Sequence, residues 1–436
     1  MEVIKFNLQK KRTFLIVVSL YFGIYLYLGV VPANIDNLLT TLLGTSNFGV
    51  SFIITAGLIA STFSMLLFGY FGNDLSRRFG RKNVFLITNL VWIISIGLVC
   101  ISPNYPFFLL FFIIGAIGNG AFLPIGFSII GDLFGPEERG TKFGTMYFGL
   151  FLGNGLGILF GGLLSWRLGF FIGSIFGCVA LFAYFKFGID PKQGYSDPEL
   201  KTLDKTMQFN YRITLSDLIQ LVKTKTVIGI LLSVFCSGIA TSTLSNWGIF
   251  YLDLQINNKM VTIVLYTVAG LGALGGARIG GMLGDEYFKN GKINGRVKVS
   301  IAGIVLGTLL LLGFYHNTFV MLGFFGYFFV FFSAGNQFAI YSDVCIPELR
   351  GAANSLNGIM INMGGIVGSL FVSSIIQSDI TLISVSIVVV LIIWLIGSVF
   401  WLISYFYYSK DFQVQRMRMM SRIQELEIIQ SRAKLK

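Results

Sequence analysis

The feature that most limits what this chain can become is a succession of twelve apolar runs, each near the ~20 residues that a helix needs to cross ~30 Å of hydrocarbon. They cover about residues 13–38, 48–72, 83–101, 107–134, 141–164, 168–187, 226–252, 261–284, 298–315, 318–345, 352–376 and 380–406. Composition agrees: 55% hydrophobic against 12% charged residues, with mean hydropathy +0.78, fits neither a soluble globular chain nor a disordered one. The first run follows a basic stretch, but it is too long for a signal peptide and shows no small-residue cleavage site. It is counted as a span, and an all-α, polytopic membrane protein is expected.

Basic residues in short loops stay on the cytoplasmic side. With twelve spans and both termini cytoplasmic, all but Arg167, Lys259 and Arg278 of the 32 Lys and Arg fall on that side. Formal charge is +12, yet the basic residues sit beside spans, where they set topology and meet anionic lipid, so no nucleic-acid partner is expected. Cys100, Cys178, Cys236 and Cys345 lie in apolar runs without metal-ligand spacing and are read as small buried hydrophobes. No metal, cofactor or catalytic residue is expected: HExxH, GxSxG and paired interior acids are all missing.

The longest polar break, 189–225, divides the chain into six-span units at 1–188 and 226–407, followed by a tail at 408–436. The break opens with "DPKQGYSDPEL" and is read as a linker only. Its second part spaces Leu215, Leu218, Ile219 and Val222 for a short interfacial helix with Ser216 as cap.

The two units repeat one another. "DLFGPEERG" (132–140) and "DVCIPELRG" (343–351) both read DxxxPExRG, 211 residues apart. The same shift carries Asp74 onto Asp285, Gly69 onto Gly280, and Gly153 and Gly157 onto Gly364 and Gly368. Parallel six-span repeats with a site between the halves, near the bilayer midplane, define one transporter architecture.

On these motifs the chain resembles the major facilitator superfamily over nearly its whole length. "RRFGRK" (77–82) keeps the basic end of that family's loop 2–3 motif. Asn73 and Arg77 occupy the gapless glycine and aspartate places, so the repeat points to Asp74 as the acid, in a loop longer than usual. The acid-x6-Arg-Gly strings are similar to those of sugar porters, and "WRLGFF" from Trp166 to the usual start of span 6. The resemblance implies two pseudo-symmetric six-helix bundles, the major facilitator fold. It also implies that Asp74 and Asp285 reach the starts of spans 11 and 5. Unpaired N–H groups and a partial positive charge favour a carboxylate there.

A cytoplasmic gate follows, built from Asp74, Arg77, Arg78, Arg81, Asp132, Arg139, Asp285, Asp343 and Arg350. Glu137, Glu138 and Lys142 are taken as loop anchors. Gly144, Gly153, Gly157, Gly161 and Gly162 keep the spacing of the family's span 5 antiporter motif, with Ile158 in the proline place. Ordinary close helix packing explains those glycines equally well. The companion span 4 motif fails at Ile114 and Ile117, and the Asp-Arg of the Spinster lysolipid carriers is replaced by Gly23 and Ile24.

The interior holds almost no charge. Arg278 alone stands within a span, and snorkelling is favoured over an anion-binding role. Neutral groups near mid-depth are the candidate substrate contacts: Tyr25, Asn119, Asn154, Ser237, Thr241 and Asn362, with Asn336 and Gln337 lower in span 10. Taken singly, each is better explained as interhelical glue. The chain is thus read as a monomeric plasma-membrane carrier of a small organic solute, working by alternating access and facilitated diffusion. The alternatives are a coupled exporter of amphiphiles and a non-transporting receptor on the same fold. In the tail, Met417, Met420, Ile423, Leu426 and Ile429 make an apolar face flanked by Arg and Lys, expected to lie on anionic inner-leaflet lipid.

Overall fold

The structure, a computed structural model, describes residues 2–45, 47–202 and 213–434. Among these residues, twelve helices are long and apolar enough to cross a membrane. Spans 1 to 6 are Phe6–Pro32, Phe52–Phe79, Arg81–Cys100, Tyr105–Leu133, Arg139–Gly161 and Trp166–Phe187. Spans 7 to 12 are Lys225–Ile256, Lys259–Lys289, Gly295–Asn317, Val320–Val344, Pro347–Val372 and Ile383–Gln424. Among the described residues there is no strand, only an isolated bridge between Leu43 and Asn104.

The halves are built alike because the same small residues let the same backbones touch. A Cβ added to Gly153 would lie 2.3 Å from the Phe22 carbonyl oxygen, and one on Gly157 2.0 Å from that of Leu26. Spans 5 and 1 therefore pack backbone to backbone. In the second half, Gly364 and Gly368 meet the carbonyl oxygens of Phe235 and Ile239 at 2.2 and 2.5 Å by the same construction. The glycines of the span 5 motif thus do packing work, as dispersion between close helices requires in lipid.

Spans 4 and 10 both break near mid-length, at Ala121 and at Phe331. In span 4, Pro124 cannot donate to the carbonyl one turn back, which loosens the helix there. The turn between spans 2 and 3 is shorter than expected. Gly80, with φ +83°, is the single residue separating Phe79 from Arg81, because a glycine can take the left-handed conformation without a Cβ clash.

The linker helix forms over Leu215–Lys223, but its cap is Thr214 rather than Ser216, in a reciprocal capping box with Asp217. The tail also departs from expectation. One helix runs from Ile383 to Lys434, so the tail continues span 12 instead of starting a separate interfacial helix. Met419 and Ile423 are buried, while Met417 and Met420 are exposed. Arg416 pairs with Glu199 at 2.6 Å and Arg422 with Glu348 at 3.0 Å. Two cations assigned to lipid are therefore engaged by protein carboxylates. The side chains of Leu426 and Ile429 lie outside the described residues.

Candidate functional site: a charge network closing one face

Both DxxxPExRG strings sit on the face that carries the linker and the tail, here the terminal face. Each puts its Asp at the end of one span and its Arg at the start of the next helix, with the Pro-Glu turn between. The arginines cross over. Arg139 donates to Asp343 at 3.2 Å, and Arg350 donates to Asp132 at 2.7 Å. Each string thus completes the other across the two halves, which explains why the string occurs twice.

Two further arginines hold the same aspartates from behind. Arg81 donates to Asp132 at 2.5 Å and to Asp190 at 2.7 Å. Arg296 donates to Asp343 and, at 2.7 Å, to Asp285, and Tyr408 donates to Asp343 at 2.6 Å. Arg296 is the second-half counterpart of Arg81, displaced by four residues from strict 211-residue register. "NGRVK" (294–298) is its faint trace in the sequence.

Asp285 accepts from the Gly140 and Thr141 amides at 2.9 and 2.7 Å and from the Thr141 hydroxyl at 2.7 Å. It caps the start of span 5, where the orphan amides and the helix dipole favour it. Asp74 does not mirror this arrangement. It is half-buried, 3.8 Å from Arg77 on its own helix, and Arg77 and Arg78 are exposed. The reason is steric: Gly281 meets the carbonyl oxygen of Gly140 directly, whereas its repeat partner is Tyr70, and the nearby Gly69 faces the Ser355 side chain. Spans 2 and 11 are held apart by side chains that spans 8 and 5 lack.

The linker is more than a connection. Asp197 accepts from Arg139 at 2.6 Å and from Arg350 at 2.8 Å, joining the two crossing arginines. The Gly194 amide donates to Asp132 at 2.9 Å, and Gln193 donates to the buried Asn73 at 2.7 Å. Burial alone would push the Asp197 carboxyl up, but Arg350 and Arg139 outweigh it and hold it below its ordinary value. Among the described residues, four arginines thus face five aspartates, and the amides at the start of span 5 offset part of the excess.

The mid-depth residues separate into two groups. Asn119 donates to Tyr27, and Asn336 to the carbonyls of Gly280 and Phe332 at 3.1 and 3.0 Å, so both are glue within one half. Ser237 and Thr241 donate to their own helix, at Ser233 and Ser237. Asn362 reaches across the halves to Ser61 and Thr62 at 3.2 and 2.9 Å, and Gln337 reaches Tyr147 at 3.4 Å. Tyr25 and Asn154 are half-buried, Tyr25 edge-on to Tyr21 with ring centroids 5.1 Å apart. Arg278 is exposed on the stripe that also exposes Leu271 and Met282, which places it on the apolar surface of span 8.

Twelve spans in two repeated bundles, joined on one face by a buried charge network that water could replace, define a membrane transporter. The sequence model of the Major Facilitator Superfamily matches residues 13–369, and the chain belongs to that family. It is 34% identical over 168 residues to Multidrug resistance protein 3 of Bacillus subtilis (strain 168). That match covers 36% of this chain and spans about a third of the relative's length (32%). The fold is similar to the human organic anion transporter MFSD10 (TETRAN), at TM-score 0.65 and 15% identity over 92% of this chain and 99% of that one. It is equally similar to the proton:xylose symporter XylE, at TM-score 0.66 and 15% identity over 93% and 96%.

Proposed function

We propose that this transporter moves a small organic solute by alternating access and that the terminal-face network is its cytoplasmic gate. The observation that carries this reading is the reciprocal pairing of Arg139 with Asp343 and Arg350 with Asp132 across the halves. Such pairs persist only while the halves touch. When they part, water takes over both partners, so the network favours one of two states instead of rigidifying the chain. Asp74, Arg77 and Arg78 then act at the rim, and Asp285, Asp132, Asp343, Arg81, Arg139, Arg296 and Arg350 at the centre. Tyr25, Asn154, Asn362 and Gln337 are the proposed solute contacts, and Asn119, Asn336, Ser237 and Thr241 support them. The mechanism is facilitated diffusion by a monomer in the plasma membrane, with both termini cytoplasmic.

The multidrug relative favours a second reading, a coupled exporter of amphiphiles. Uptake into proteoliposomes, screened across sugars, organic ions and lysolipids with and without a pH gradient, separates the two. Gradient-independent equilibration of a hydrophilic solute supports the first, and uphill, uncoupler-sensitive movement of an amphiphile supports the second.

A further inference from the structure

Arg278 stands seven residues before Asp285 on span 8, about 10 Å deeper at ~1.5 Å per residue. It forms no ion pair and no hydrogen bond among the described residues, and its stripe of span 8 is otherwise apolar and exposed at Leu271 and Met282. A charge facing hydrocarbon is costly unless its side chain reaches a counter-ion at headgroup level. Among the described residues no carboxylate supplies one, which leaves the headgroup region as the source to consider.

The surroundings make that place specific. The Arg278 backbone lies against Gly144 of span 5, where an added Cβ would come within 2.9 Å of its Cα. Lys142 leaves span 5 two residues earlier, on the flank turned toward span 1, with its ammonium 4.6 Å from the Phe134 ring centroid and 5.2 Å from that of Phe14. Lys10 lies 4.2 Å over the same Phe134 ring. Lys142 feels the like charges of Lys10, Lys11 and Arg278, while Glu138 pairs with Lys10 at 3.1 Å and with Lys142 at 3.9 Å. Two cations thus share the one acid Glu138, and the like charges of Lys11 and Arg278 act on Lys142 besides. Between Arg278 and Lys142 runs the outer face of span 5, with Phe148 and Leu159 exposed along it.

We propose that Arg278 and Lys142 form a headgroup site for an anionic phospholipid in the leaflet on the terminal side. The phosphodiester oxygens accept from the guanidinium and the ammonium, and the acyl chains lie along the exposed face of span 5. A soluble phosphate would have to leave water for a site bordered by the exposed apolar face of span 5, whereas a phosphodiester already lies in the leaflet beside it. Arg278 belongs to the second half and Lys142 to the first, so the lipid also ties the seam between spans 5 and 8; that consequence rests on the gate reading above.

The test is native mass spectrometry of the purified full chain with dioleoylphosphatidylglycerol or the phosphatidylcholine analogue. Phosphatidylglycerol retention should fall roughly fivefold for each cation removed in Arg278→Gln and Lys142→Gln, at the scale of one basic residue near an anionic surface. Arg278→Lys and the distant Lys259→Gln should retain it, and phosphatidylcholine retention should not change. Equal phosphatidylglycerol retention by the folded double variant overturns the site. Full competition by glycerol 3-phosphate at equal phosphate concentration overturns the lipid in favour of a soluble anion. A lipid-selective site that leaves reagent access to Cys345 unaltered would overturn only the gating consequence.

Discussion

Asp197→Asn is the most informative single change, because it keeps the shape of the side chain and removes only the charge that joins the crossing arginines. In the closed face Asp197 accepts three hydrogen bonds of 2.6 to 2.8 Å, its side chain is only 8% exposed, and both partners are buried. Removing one partner of a buried pair costs about 3–5 kcal/mol when the other is left alone. Here Arg139 keeps Asp343 and Arg350 keeps Asp132. The cost therefore falls to or below the bottom of that range, at about 2–3 kcal/mol, or roughly 30- to 150-fold in the ratio of closed to open states. Cys345 is a built-in reporter, since it lies two residues after Asp343 and is buried in the closed face. With Cys100, Cys178 and Cys236 replaced by serine, alkylation of Cys345 from the terminal side should accelerate in proportion. pH gives a second check with a definite sign. The Asp197 carboxyl is held below its ordinary 3.8 in the closed face. Its contribution to closure is therefore complete above that value and is lost as pH falls from there through the lower closed-state value. Wild-type labelling should stay flat across neutral and mildly acidic pH. A folded Asp197→Asn protein with wild-type Cys345 reactivity and transport would refute the linker's part in the gate.

Arg139→Ala and Asp285→Asn should each favour the open terminal face by about 1–2 kcal/mol, read as roughly five- to thirtyfold faster Cys345 labelling. Transport by the purified protein should persist without a proton gradient and stop at equal concentrations; sustained accumulation driven by a gradient would contradict facilitated diffusion. In the tail, a double-mutant cycle on Arg422 and Glu348 should give about 1–2 kcal/mol of coupling, because Glu348 is buried. The corresponding cycle on the 47%-exposed Arg416 and Glu199 should give under ~1 kcal/mol.

The spans were legible because hydrocarbon imposes one requirement on every residue of a run, and the repeat was legible because Asp132 and Asp343 keep one register with Arg139 and Arg350. The family followed from both. Register alone misled at Asp74. It fixes which residues correspond, but whether two helices can touch depends on side-chain size, and Tyr70 stands where the second half has Gly281. It also hid Arg296, because four extra residues between spans 8 and 9 move the second-half counterpart of Arg81 off the 211-residue shift.

The partners of Asp197 in the linker and of Arg416 and Arg422 in the tail were not legible for a related reason. The local patterns there, a polar DPKQGYSDPEL and a basic amphipathic helix, are satisfied equally well by water, by lipid or by another part of the protein. What decides among these is the unpaired charge left elsewhere. Arg139 and Arg350 come within reach of a shared carboxylate only once the two halves meet, and Asp197 answers that demand. Glu348, buried beside Arg350, likewise answers Arg422. The same logic works in reverse for Arg278, which no carboxylate answers among the described residues. A cation that the fold leaves unpaired at the membrane surface is a demand on the lipid.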